Sequence, residues 1–521
     1  MRKSSSPCSK LLEACVFALL LGRNLYLQPW LGVKQLDDPS LPITNGHHLP
    51  ANDADNPMNW PMLRRLYVSL VAWLFTAVVG FGLTSYTVAI PEIMVEFNIS
   101  MPVATLGFSL YIFGIFFAPI HTPHWSERFG RKPVYLVSLF LCMLFTLGAS
   151  RSRTWSALAA TRFFAGLFGG PCLVLIEGTF ADVWSACATN TYYSFLAAAA
   201  NVGAGLGPIV LGFVVPVTSW RWTQYVSLMA MFAAFLFGVG MPETYPRQIV
   251  RTRAKRAGQP DNLPKAESGV TLAEMAKVTI IDPLIMLVSE PIVIMSSLLL
   301  GANFGFLFQW FITVPVALGS NYGFTIQRVG LAFTSALAGT VLALTTSVLL
   351  DMVFRPRGNN KKTGVLPNIE YRLYPAMIGA PLMMAALFWV GNTAKPSVHY
   401  IVPIVGTAVY VWGSMSALIG IIAYLFDAYP PKATLAALTA AACFRIALAG
   451  IIPLVVIQSF MRATPMWALG AFGFVVLALI PVPFVMLFFG QSMRQRSRYN
   501  VGLLDQMMQT QSPEMETHTA A

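Results

Sequence analysis

Apolar residues run along this chain in long unbroken blocks, not in the alternation of a strand or the one-sided stripe of a surface helix. The stretches 68–89, 293–318 and 467–490 contain no Asp, Glu, Lys or Arg. A helix of about 20 apolar residues crosses the hydrocarbon core of a bilayer. Continuous runs exclude a membrane barrel, whose strands would alternate. The pattern predicts twelve membrane-spanning helices, over residues 66–88, 102–122, 134–150, 157–181, 193–215, 223–241, 292–316, 329–350, 374–391, 400–425, 433–457 and 466–489. Polar segments frame them: 1–64 before the first, 242–290 after the sixth and 490–521 after the last. The expected organisation is an all-α membrane protein with one six-helix half over 65–241 and another over 291–489.

Composition agrees, with 56% of the 521 residues hydrophobic and 11% charged, against roughly 25% charged in soluble domains. The net charge of +12 would suit a nucleic-acid binder if it were clustered, but it is divided by topology. With the N-terminus in the cytosol, the cytosolic segments hold 26 Lys and Arg and the outer loops 6, with Arg162 and Arg445 inside spans. Positive residues stay inside, so both termini are expected to be cytosolic. The basic run 247–255 reads as a topology signal beside anionic membrane lipid, and no nucleic-acid partner is expected.

The six cysteines stand singly, which argues against a disulfide framework or a zinc site. His121 and His124 are a weak metal signal by themselves. The apolar stretch Leu11–Leu21 is too short to span, and Glu13 interrupts it. It is read as an interfacial helix or as an atypical start of the reading frame, with Cys8 and Cys15 as acylation candidates.

An internal repeat divides the chain. Pro91 and Glu127 are 36 residues apart, as are Pro315 and Asp351. Farther on, Asp182-Val-Trp matches Asp427-Ala-Tyr, and Pro208 and Pro453 each follow their aspartate by 26. The offset between copies grows from 224 to 245, which the loop around Arg355–Arg372 absorbs. Two halves in parallel repeat place a substrate site between them, near the membrane midplane.

Between the second and third predicted spans stands Ser126-Glu127-Arg128-Phe129-Gly130-Arg131-Lys132-Pro133. A glycine turn with cations at helix ends can clasp carboxylates and release them. The segment resembles the loop signature of the major facilitator superfamily, with Glu127 where that family usually has Asp and Pro123 where it often has Gly. Asp53-x-x-Asn56-Pro57-x-Asn59-Trp60 and Pro242-Glu243-Thr244-Tyr245 resemble segments of its fungal twelve-span drug:proton antiporters. Gly203-x-x-x-Gly207-Pro208-x-x-x-Gly212 resembles their antiporter motif, with the last glycine one position later than usual. Small residues there permit close helix contact, and Pro208 a kink. The run Gly169–Asp182 is most similar to the polyamine, multidrug and toxin exporter branch. The resemblance covers nearly everything from Asp53 to Arg498.

It implies a major facilitator fold with a central cavity, no enzymatic activity, no cofactor, and export of a small organic substrate against protons. A plasma-membrane location is expected, with the vacuolar membrane as the alternative, and a monomer. Ionisable groups inside a span are costly and mark pathways or partners. Glu177 is the candidate proton or cation site, or a static partner of a polar neighbour. Asp182 is expected to gate by pairing with Arg131 or Arg128, or else to be a helix-end carboxylate in water. Asp351 and Asp427 occupy the repeat positions of the gating acids. Arg445 would bind an anionic group or balance a carboxylate across the cavity. Tyr86, Arg162, Asn303, Gln309, Trp310, Tyr410 and Trp412 are further candidates for the cavity wall. Asn98-Ile99-Ser100 is a glycosylation sequon, but in a short loop close to the bilayer.

The rival readings are polyamine export, organic-acid export, nutrient uptake and a membrane sensor without turnover. Without a glycine loop ending in Lys-Ser/Thr, ATP is not the expected energy source.

Overall fold

A computed structural model describes residues 53, 55–184, 190–256, 277–354, 369–462 and 465–499. The expectations for Leu11–Leu21, Cys8, Cys15 and the tail after residue 499 lie outside them. The described residues form helices and connecting turns, with no strand among them. Among the described residues eleven helices are long and apolar enough to cross a membrane, and a bent pair completes twelve. The first six spans are Met62–Phe97, the pair Met101–Phe116 and Ala118–Phe129, Arg131–Ser150, Trp155–Val183, Thr191–Val217 and Arg221–Val239. The second six are Pro291–Tyr322, Ile326–Phe354, Ile369–Thr393, Ile401–Ala428, Ala433–Ser459 and Leu469–Arg496.

Local chemistry explains the irregular points. Span 2 bends by 42° at Phe117, because Pro119 follows at the start of the second segment and cannot donate to the turn before it. Span 1 is α-helical to Thr84, tightens into a 3-10 turn over Ser85–Ala89, and resumes at Ile90 with Pro91 in its first turn. Hydroxyl groups compete with the backbone there: Ser85 donates to the Gly82 carbonyl at 3.0 Å and Thr87 to that of Thr84 at 2.8 Å. Asn98 ends this span in the left-handed region, with φ 50°, a conformation that asparagine tolerates as a helix cap.

Packing repeats the sequence repeat. In the first half, span 1 packs on span 5, span 2 on span 4, and span 3 on spans 4 and 6. In the second, span 7 packs on span 11, span 8 on span 10, and span 9 on spans 10 and 12. The halves meet along two seams, span 2 with span 11 and span 5 with span 8. Exchanging the halves maps one seam onto the other. Spans 1, 7 and 10 are the most buried, while span 3 points Val137, Phe140 and Leu144 outward, as a lipid-facing helix would.

Candidate functional site: a cavity at the seam of two halves

The turn between spans 2 and 3 marks one end of the molecule, called here the motif face. Gly130 has φ +95°, and a Cβ on it would lie 2.5 Å from the Glu243 carboxylate, so this position needs glycine. The Arg131 and Lys132 backbone N–H groups donate to the two Glu243 oxygens at 2.8 and 3.1 Å. Glu243 thus caps span 3 from the far end of the half, satisfying N–H groups that no helical turn can. The Arg131 guanidinium donates through Nε to Asp182 at 3.1 Å and through Nη1 to Ser126 at 3.0 Å. It reaches across span 4 because Gly178 lacks a Cβ, which would sit 2.6 Å from it.

The Arg131–Asp182 pair joins spans 3 and 4 inside the first half. Both partners are on one side of the seam, so the pair does not itself bridge the halves. Arg128 is not Asp182's partner and lies over the Phe129 ring at 5.5 Å. In the second half Arg372 pairs with Asp427 at 2.8 Å and Arg494 with Glu370 at 2.7 Å. Sequence reasoning missed Arg372. The partners in the two clasps are 51 and 55 residues apart, so a search for repeats that tolerated this slippage would have paired Arg372 with Arg131.

Outside the membrane on the motif face, Arg253 bridges Asp53, at 2.8 Å, and Asp55. Its hydrogen bond holds the Asp53 carboxyl down at about 2. The pre-span segment is thereby tied to the helix Pro246–Arg256 that follows span 6.

The seam between halves is polar at the motif face and close-packed at the opposite one. Asp351 accepts from both the Thr191 N–H and the Thr191 hydroxyl, at 2.7 Å each, so a second-half carboxylate caps a first-half helix. Tyr193 stacks on Phe426 with ring centroids 5.0 Å apart, and Asn201 donates to Thr340 at 3.3 Å. Toward the opposite face a Cβ on Gly330 would lie 2.6 Å from the Pro208 carbonyl, and one on Gly212 3.1 Å from that of Ile326. Gly203 and Gly207 face elsewhere: a Cβ on either would collide with span 1, at Ala77 and Thr84 respectively. The glycines of the antiporter-like motif therefore divide between packing one half and closing the seam.

On the motif-face side of that close packing lies a cavity of about 430 Å³. Spans of both halves line it. It reaches the motif face at Glu127, Arg131 and Tyr245, and ends in mid-membrane near Phe308 and Ala449. Glu177 of span 4 and Arg445 of span 11 face it from opposite halves. The Arg445 guanidinium lies 4.9 Å over the Phe304 ring, and its Nε has no hydrogen-bond partner. Asn201, Tyr193, Thr76 and Thr439 add polar groups to a wall that is otherwise mostly Leu, Ile, Ala and Phe. Among the described residues no three of His, Cys, Asp and Glu gather as metal ligands.

The other seven candidates for the cavity wall do not line it. Arg162 donates to the carbonyls of Gly82 at 2.9 Å and Leu83 at 3.0 Å, between the rings of Tyr86 and Tyr111. It supplies the donors that those carbonyls lose where span 1 tightens. Tyr86 donates to Ala104 at 2.8 Å. Asn303 ties span 7 to span 10 through Ser414 and the Tyr410 hydroxyl. Trp310 packs edge-on against Tyr410, Gln309 is fully buried, and Trp412 donates to Thr346 at 2.9 Å. These spans are right, but the side chains turn into the interior of each half. Large polar and aromatic residues look alike in sequence whether they serve a pathway or a helix–helix clamp.

Known proteins agree with this architecture. The profile of the Major Facilitator Superfamily matches residues 72–452. The chain is 31% identical over 467 residues to Transporter mfs1 of Schizosaccharomyces pombe, covering 86% of this chain and 87% of that one. It is 27% identical to Polyamine transporter 4 of Saccharomyces cerevisiae, covering 88% and 74%. It is 28% identical to Efflux pump FUB11 of Gibberella moniliformis, covering 86% and 76%. The solved proton:xylose symporter XylE has the same fold, with a TM-score of 0.58 at 16% identity over 82% of this chain and 96% of that one. Twelve spans in two repeated halves, a cavity at their seam and these similarities make the chain a multi-pass membrane transporter, not an enzyme, that belongs to the Major Facilitator Superfamily.

Proposed function

We propose that this transporter exports amphipathic organic compounds in exchange for protons, by rocking of its two halves about the seam cavity. The observation that carries the reading is Glu177, a carboxylate facing a mostly apolar cavity that spans of both halves line. A carboxylate there can hold a proton in one state and a cargo group in the other. In this reading the motif face is cytosolic, following the charge asymmetry, so the conformation described loads cargo from the cytosol, and the membrane is the plasma membrane. The capping of span 5 by Asp351 breaks and re-forms in each cycle. The Arg131–Asp182 and Arg372–Asp427 clasps keep each half rigid as it rocks.

Similarity to an efflux pump supports export. Similarity to a polyamine transporter supports a second reading, polyamine export. A polycation needs carboxylates along its length. The cavity lining has Glu127 and Glu177 but also Arg131 and Arg445, so amphipathic compounds remain the first reading.

The test follows efflux of dansyl-labelled amphiphiles from reconstituted vesicles under an imposed pH step. The unmodified protein should accumulate probe uphill, and an uncoupler should abolish this. Glu177→Gln should lose uphill movement while still equilibrating probe. Uphill transport that ignores the pH step would remove the exchange mechanism. A Gln variant that still responds to the step would remove Glu177 as its proton site.

A further inference from the structure

Within the exporter reading, the charges in the cavity narrow the cargo. We propose that the cargo is a dipolar amphiphile, one that carries both a cationic and an acidic group on a largely apolar body. Glu177 and Arg445 come from different halves and face the same cavity, and neither takes part in an ion pair among the described residues. Each therefore keeps hydrogen-bonding capacity for a guest, and the unpartnered Arg445 Nε is a buried donor at the site.

The cost of burying charge selects among guests. A guest with a cation alone would occupy Glu177 and leave Arg445 without its balancing charge. A guest with an acid alone would do the reverse. Either leaves an uncompensated charge in a low-dielectric site, which is strongly unfavourable. A guest with both groups satisfies both, through charge-assisted hydrogen bonds, while its body lies against Leu300, Leu307, Phe308, Ile419 and Ile422. Exchange is then electrogenic: the net-neutral guest leaves and one proton returns on Glu177, moving one positive charge inward per cycle.

The test measures saturable binding to the purified full-length protein of three probes that share a dansyl body. Nε-dansyl-lysine carries both charges, dansylcadaverine the cation only, and dansyl-6-aminohexanoate the anion only. Dansyl-lysine should bind about tenfold tighter than either of the others. Arg445→Gln should erase its advantage over dansylcadaverine, and Glu177→Gln its advantage over dansyl-6-aminohexanoate. The double variant should bind all three alike, and Arg445→Lys and Glu177→Asp should keep the parent order, which separates recognition from misfolding. The proposal is overturned if a singly charged probe binds the parent as tightly as dansyl-lysine. Absence of saturable binding by all three probes, or an advantage that survives Arg445→Gln, overturns it too. The exchange reading fails separately: dansyl-lysine bound in the expected order but unmoved by a pH step would sink exchange and leave the dipolar site standing.

Discussion

Arg162 and Arg445 both lie well inside spans, and their surroundings set them apart. Arg162 is locked between two tyrosine rings and donates to backbone carbonyls where span 1 changes helix type. Arg445 faces the cavity with its Nε unpartnered. Removing the first takes the Arg162 donor from the Leu83 carbonyl and leaves Gly82 only the Ser85 hydroxyl, and a buried carbonyl left unsatisfied costs about 1–3 kcal/mol. Arg162→Gln should therefore lower the melting temperature and the yield of monodisperse protein in detergent. Arg445→Gln should melt near the parent value and show its effect in transport. Thermal unfolding of the two variants side by side checks this, and an Arg162→Gln protein as stable as the parent would refute the structural role.

At the scale of elements, span 5 packs on span 1 with one face and on span 8 with another. Positions four apart share a helix face, which places Gly203 with Gly207 and Pro208 with Gly212. A methyl group at Gly203 would run into the Ala77 backbone, and overpacking of a close helix contact typically costs about 1–3 kcal/mol. Gly203→Ala should accordingly impair folding and membrane insertion. Gly212→Ala touches only the seam, where neighbours at 3.1–3.2 Å must give slightly. It should insert normally and transport more slowly, because the seam opposite the motif face can no longer close as tightly. Surface expression set against transport rate separates the two outcomes, and equal insertion defects would deny the division of labour.

At the scale of the whole molecule, the seam is held at the motif face by few polar contacts and at the opposite face by close helix packing. Asp351 at the start of span 5 combines a helix-terminus interaction with a hydroxyl bond. A partly buried arrangement of this kind contributes about 1 kcal/mol, or roughly fivefold in the balance between conformations. Asp351→Asn should shift that balance away from the conformation described, whose cavity reaches the motif face and in which the cap is formed. A cysteine at Asn201, beside the cavity, should then label more slowly from the motif-face side. An unchanged labelling rate together with unchanged transport would show that the contact does not control the equilibrium.

Much of this architecture is determined by the sequence alone. Apolar blocks of bilayer length give twelve spans, because each helix satisfies its own backbone hydrogen bonds in lipid whatever its neighbours do. The basic loop signature and the carboxylate at the end of span 4 pointed to a pair of Asp182 with Arg131 or Arg128, and the packing decided for Arg131. The repeat foretold two halves, and isolated charges in apolar runs marked Glu177 and Arg445. Other features depend on how the helices rotate and pack. Tyr86, Asn303, Trp310 and Tyr410 are turned into the halves by neighbours distant in sequence. Arg162 became a brace because span 1 breaks beside it, and Glu243 and Asp351 became caps because other spans begin there. An intramembrane side chain is forced to find a partner, but only the packing of the other spans decides whether that partner is a backbone carbonyl, a second helix or a guest in the cavity.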